Sequence, residues 1–270
     1  MTPKKSGEAI VASISGKTDP AVQRIGAADI IDALGKGLRD FQAMPVYGLV
    51  LGALFAAGGN AVIHATTVFG MSYLSYPLAA GFVLIGPFAA IFLYELSRRR
   101  EAGRPIVLRE VWTTIIGRGE IAWMAFVTIF IFVIWIYQVR LLMALFLGLK
   151  MSFASIQQFM TVVLTTNEGL VFLIAGNVVG AALSLVLFSL TVVSFPLLLD
   201  REVDFITAMI TSVRSVVMNT IPMIGWAAAI VVLMIVSCLP YFIGLLVTLP
   251  VLGHTSWHLY RRLVVPPAAA

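Results

Sequence analysis

Charge is what this chain has least of. Only 11% of its 270 residues are Asp, Glu, Lys or Arg, while 60% are hydrophobic and the mean hydropathy is +1.00. A water-soluble domain needs roughly 25% charged residues to cover its surface, so the shortage excludes an ordinary soluble globule. Cysteine is nearly missing too. Cys238 stands alone, which rules out an intrachain disulfide and any cysteine-built metal or cluster site. There is no HExxH, GxSxG, Walker glycine loop or CxxC. No two carboxylates fall within one apolar run, as a proton relay across a membrane would need. The expectation is a chain that is not an enzyme and uses no cofactor.

What is present is a series of long apolar runs, so the expected fold is an all-α polytopic membrane protein with six transmembrane helices and amphipathic interfacial helices. The spans are expected at residues 45–66, 76–97, from 120 through 136, 169–199, 221–236 and 239–260. Amphipathic pieces at 25–41, 108–116, 152–166 and 203–219 are too polar to cross and suit the interface. In the first of these, Ile30, Leu34, Leu38 and Phe41 form the apolar stripe. The membrane domain takes 23–263, between a disordered cytoplasmic lead-in at 1–22, without a signal-peptide core, and an unstructured tail at 264–270.

One stretch occurs twice. Residues 76–99 and 239–262 align without a gap, with Pro77 on Pro240, Gly81 on Gly244, Pro87 on Pro250, Leu96 on Leu259 and an arginine pair closing each. The expected unit is an interfacial helix plus a two-span hairpin, duplicated around a middle hairpin. Gly48, Gly52 and Ala56, and again Gly176, Gly180 and Ser184, make ladders of small residues on which another helix can pack closely.

Six spans put both termini and two basic loops on one side. That side takes sixteen of the eighteen Lys and Arg residues, leaving Arg140 and Lys150 for the other. By the positive-inside rule both termini are expected in the cytoplasm. The same rule accounts for the net charge of +5 and a pI near 9.6 without nucleic acid as a partner. The expected partners are the lipid bilayer and a membrane protein or a second copy.

Few residues invite a chemical role. His254 and His258, at i,i+4 on one face, have the spacing of a metal or haem pair, and Glu95 occupies the position equivalent to His258 in the repeat. An interfacial polar pair is the plainer expectation. Arg140 lies about 26 Å along its helix from Trp123 at 1.5 Å per residue, near the far boundary of a ~30 Å core. Snorkelling or pairing with Glu168 is expected of it before a solute site. Asn60, His64, Gln138 and Asn177 are uncharged polar groups inside spans, for which hydrogen bonds between helices are the first expectation.

Three segments carry a family resemblance: LTVVSFPLLLDREVD at Leu190–Asp204, GFVLIGPFAAIFLYELSRRRE at Gly81–Glu101 and LPVLGHTSWHLYRR at Leu249–Arg262. Together they resemble a bacterial integral membrane family catalogued as domain of unknown function 2189, over residues 24–263. The resemblance implies a multi-pass protein of the bacterial cytoplasmic (inner) membrane and supplies no substrate, catalytic residue or cofactor. The expected function is an accessory, assembly or scaffold role. The alternatives are a small-solute transporter or channel, and a haem- or metal-binding protein.

Overall fold

The first helix starts behind Gly26, whose N–H donates to the Asp29 carboxylate at 2.9 Å, and a carboxylate in the first turn also suits the positive end of the helix. It stops at Met44 because Pro45 disfavours helical backbone in the residue before it; Met44 has φ −133° and ψ 49°. The computed structural model describes residues 20–67, 75–148 and 156–266. Among them run α1 (Ala27–Ala43), α2 (Pro45–Thr67), α3 (Ser75–Glu101), α4 (Leu108–Ile116), α5 (Gly119–Phe146) and α6 (Ile156–Thr165). These are followed by α7 (Asn167–Thr191), α8 (Ser194–Asp200), α9 (Phe205–Met218), α10 (Thr220–Cys238) and α11 (Leu245–Leu263). The described chain is all-helical apart from one isolated bridge between Val22 and Val264.

Four stretches are long and apolar enough to cross a membrane: Pro45–His64, Gly119–Phe146, Asn167–Asp200 and Thr220–Cys238. They correspond to the first, third, fourth and fifth expected spans. The second is helical as α3 and runs on through Pro87, but most side chains of its first half lie outside the described residues. The sixth departs from expectation. Residues 239–244 form a turn, with Tyr241 and Phe242 at φ 50° and 64°, and the helix begins only at Leu245. Pro240 has no N–H to continue α10 and its ring blocks the preceding turn. Gly244 closes the corner, since a Cβ there would sit 2.5 Å from the Cα of Ser237. The aligned prolines thus act differently, Pro77 within a helix and Pro240 in a turn.

The core sits at one end of the helices. Leu93 and Leu96 of α3, Met124 of α5, Phe195–Leu199 of α8, Ala208 of α9, Trp226 of α10 and Trp257, Leu259, Tyr260 and Leu263 of α11 supply its buried side chains. The chain ends meet there as well. Gln23 N donates to the Leu263 carbonyl and Val265 N to that of Ala21, both at 2.9 Å, while Asn219 accepts from Ile25 N at 2.8 Å. The expected unstructured ends, 1–22 and 264–270, lie mostly outside the described residues. Of the described part, Val22 and Val264 pair, and Val264 is buried.

Away from this layer the helices are sparsely packed. None of the most apolar window of α7 is buried inside the chain and only 6% of that of α5, against 28% for α2. The exception in α2 comes from its glycine ladder. A Cβ on Gly48 would meet Pro250 at 2.8 Å and one on Gly52 would meet the Leu246 Cα at 2.5 Å, so α11 lies against the bare backbone. In the second ladder Gly180 touches the Trp135 ring, and Gly176 faces open space.

Helix α1 turns an unexpected face inward. Ala33, Gly37 and Asp40 are buried against α11, with a Cβ on Gly37 only 2.6 Å from Thr255 N. The apolar Ile31, Leu34 and Leu38 remain exposed. Small residues permit the close crossing, and the apolar stripe is left for lipid, as an interfacial helix requires.

Candidate functional site

The feature with most chemistry is built where α1, α3 and α11 meet. Asp40 closes the last turn of α1, Ser97 and Arg100 lie on the last turns of α3, and His254 and His258 share one face of α11. Asp40 Oδ2 accepts from Ser97 Oγ at 2.6 Å and from His258 Nε2 at 2.7 Å, and Oδ1 accepts from the Arg100 guanidinium. Ser97 Oγ also lies 2.7 Å from His254 Nδ1. Ser97 has one hydroxyl hydrogen, which goes to Asp40, so His254 must carry its proton on Nδ1 and donate to Ser97. Its Nε2 is then a lone-pair acceptor, buried with no partner. Burial disfavours the charged form of the fully enclosed ring and lowers its pKa to about 4, so His254 is neutral. Burial raises the Asp40 carboxyl, but the hydrogen bonds from His258 and Ser97 outweigh it and hold the group below the usual carboxylate range.

Glu95 does not join this cluster. Its side chain is fully buried and takes Arg98 Nε at 2.7 Å and Arg99 Nε at 2.7 Å. Arg99 reaches on to Glu110 at 2.7 Å and the Pro105 carbonyl at 3.2 Å, tying the loop and α4 to α3. Glu95, equivalent to His258 in the repeat, thus lies apart from it, and His258 pairs with Asp40. Arginines three and four residues along the same helix are within easy reach of Glu95. A third set joins α11 to its neighbours: Tyr260 to Asp200 at 2.7 Å, Trp257 Nε1 to Glu101 at 3.0 Å, and Arg262 to Asp32 at 2.6 Å.

The polar residues inside the apolar runs behave more simply. Asn60 bonds across to another segment, donating to the Tyr241 carbonyl at 2.7 Å. His64 Nδ1 lies 3.0 Å from the Asn60 carbonyl of its own helix, and Asn177 donates to Leu173 in its own helix at 2.8 Å, both on exposed surface. Among the described residues neither makes the expected hydrogen bond between helices; each amide or ring finds the carbonyl four residues back. Gln138 is half-buried on α5. Arg140 and Glu168 are both exposed and form no ion pair with each other. Asp40, Ser97 and Arg100 were not among the expected site residues. Asp40 reads in sequence as part of a solvated helix face, and only the His254–His258 spacing marked the place.

Residues 75–200 match the model of a family described as a predicted integral membrane protein (DUF2189). The match to DUF2189 covers α3 through α8, including the segments Gly81–Glu101 and Leu190–Asp200, and is narrower than the expected 24–263. It leaves Asp40, His254 and His258 outside and takes in Glu95, Ser97 and Arg100. No curated protein and no solved structure matches the chain.

Among the described residues no three His, Cys, Asp or Glu side chains gather as metal ligands. In the cluster itself, His258 Nε2 is turned onto a carboxylate that already takes Ser97 and Arg100, and His254 Nδ1 onto a hydroxyl. Chemically this arrangement fixes three helices to one another; it offers no nucleophile facing an open cavity.

Proposed function

We propose that this is a non-enzymatic accessory, assembly or scaffold protein of the bacterial cytoplasmic membrane, with six membrane segments in three hairpins and both termini in the cytosol. The observation that carries the reading is the division of the molecule into a locked layer of helix ends and spans whose sides are largely uncovered. Glu101, Arg118, Asp200, Asn219, Val22 and Val264 are linked around one layer by the contacts Trp257–Glu101, Arg118–Glu202, Tyr260–Asp200, Ile25–Asn219 and Val22–Val264. Starts and ends of successive helices on one level fit an even number of crossings. The repeated hairpin is kept as part of this reading, with α11 contributing its first half to the membrane and Gly253–Leu263 to the polar layer beside α1. The basic bias of that layer supports its placement in the cytosol.

Uncovered faces on α5, α7 and α10, including the open rung at Gly176, suit helices of a partner or a second copy as well as lipid. Purification in a mild detergent is expected to retain a stoichiometric membrane partner or a defined homo-oligomer. Recovery of the lone monomer, together with unchanged membrane complexes in a deletion strain, would contradict the role. A transport path gains less support, since Asn177 and Arg140 face outward and Asn177 is satisfied by its own helix.

A further inference from the structure

Between α2, the end of α3 and α4 lies an open groove of about 720 Å³, within the ~300–1,000 Å³ typical of small-molecule sites. Tyr47, Leu51 and Phe55 form one wall, Phe92 the floor, and Leu108 and Trp112 the other wall. Apart from the Tyr47 hydroxyl, these side chains present carbon to the groove, apart too from the Trp112 indole N–H. Phe92 and Trp112 stack with centroids 5.5 Å apart, so the floor and the α4 wall are fixed relative to each other. Val111 on the inner side of α4 is buried and Glu110 is held by Arg99, which pins α4 in place without filling the groove.

The position of the groove decides what fits it. Its α2 wall belongs to an apolar helix long enough to cross a membrane, so the groove opens toward acyl chains rather than water. Its α4 wall begins at Leu108, directly before Arg109 and four residues after Arg104. Both arginines are exposed, and neither forms an ion pair among the described residues. Trp112, about half exposed, and Ile116, 78% exposed, place α4 as an interfacial helix with an aromatic ring at headgroup level. An apolar slot facing the hydrocarbon, with exposed Arg109 next in the chain to its wall residue Leu108 and exposed Arg104 four residues before it, matches one amphiphile from the surroundings.

We propose that the groove binds an anionic phospholipid of the bilayer, with one acyl chain between α2 and α4 and the headgroup phosphate on Arg104 and Arg109. Arginine is suited to this because its planar fork can engage phosphate oxygens in pairs. The site rests on membrane insertion and not on the scaffold role, so a lipid result and a partner result fail separately.

The test uses the full-length protein in nanodiscs of phosphatidylcholine into which either brominated phosphatidylglycerol or brominated phosphatidylcholine is titrated. Bromine on an acyl chain quenches a tryptophan it touches, and the difference between wild type and Trp112→Phe isolates the groove. Half-quenching of that component is expected at about thirtyfold less brominated phosphatidylglycerol than brominated phosphatidylcholine, in line with ~1 kcal/mol for each of the two arginines near anionic lipid. The Arg104→Gln/Arg109→Gln double variant is expected to bring the two curves together. Equal quenching by both lipids in wild type would overturn the proposal, as would a preference that survives in a folded double variant. Should the double variant lose its helical circular dichroism, the wild-type comparison decides alone.

Discussion

The layer of helix ends and the apolar spans are built by opposite rules. In the layer, Glu95 is fully buried between two arginines, Asp40 takes three partners and Leu197–Leu199 are sealed from any solvent. In the spans, Val178, Leu185 and Val232 stand exposed on helices that bury little of their apolar length against protein. The difference teaches where apolar character drives association. Burial against protein gains nothing over lipid tails inside a bilayer, so helices there need small residues or hydrogen bonds to adhere. At the helix ends water is available as the alternative, and apolar burial together with paired charges holds the fold.

Removing one partner from the buried charge set should have the largest effect. Glu95→Ala leaves Arg99 enclosed without its carboxylate and is expected to lower stability by about 3–5 kcal/mol, read as thermal unfolding in detergent. Asp40→Asn comes next, at about 1.5–3 kcal/mol, because three donors lose a charged acceptor. The same carboxyl gives a pH dependence. Its folded value lies below the unfolded one of about 3.9, so its contribution is complete above that pH and is lost as pH falls through the folded value. Wild type should therefore destabilise more steeply than Asp40→Asn as the pH drops below about 4, in acid melts followed by circular dichroism.

The glycine ladders sharpen the contrast within the spans themselves. Gly52→Ala drives a Cβ onto the α11 backbone and is expected to cost about 1–3 kcal/mol. Gly176→Ala meets open space and should be neutral or stabilise by up to ~1 kcal/mol in the same melts. The smallest effect in the layer is expected from Asp204→Ala, which removes the cap accepted from Thr207 N at 2.9 Å and costs about 1 kcal/mol.

Much of the helical framework was legible before the structure. Apolar run length located α2, α5, α7 and α10, Pro45 marked the break after α1, and Gly48–Gly52 announced the contact that α11 makes. Three things were not legible, for identifiable reasons. The inward face of α1 is one: the stripe Ile30–Leu34–Leu38 marks an interfacial helix, as expected, but nothing in it announces that the face with Ala33 and Gly37 packs on α11. SFPLLLD reads as the end of a span, but apolarity alone does not announce that α8 is buried against protein. The partner of His258 lies 218 residues away, and no periodicity carries that distance. The i,i+4 histidines found the place, and the register of α1 against α11 chose Asp40 over Glu95.

One pair of substitutions along a single line of chain tests the central claim most directly. Leu185 stands 42% exposed in the apolar part of α7 and Leu198 is 1% exposed in α8. Unfolding of Leu198→Ala and Leu185→Ala in detergent is predicted to show a loss of about 2–5 kcal/mol for the first and under ~0.5 kcal/mol for the second. Equal losses, or a larger one at Leu185, would contradict a fold held together at its helix ends.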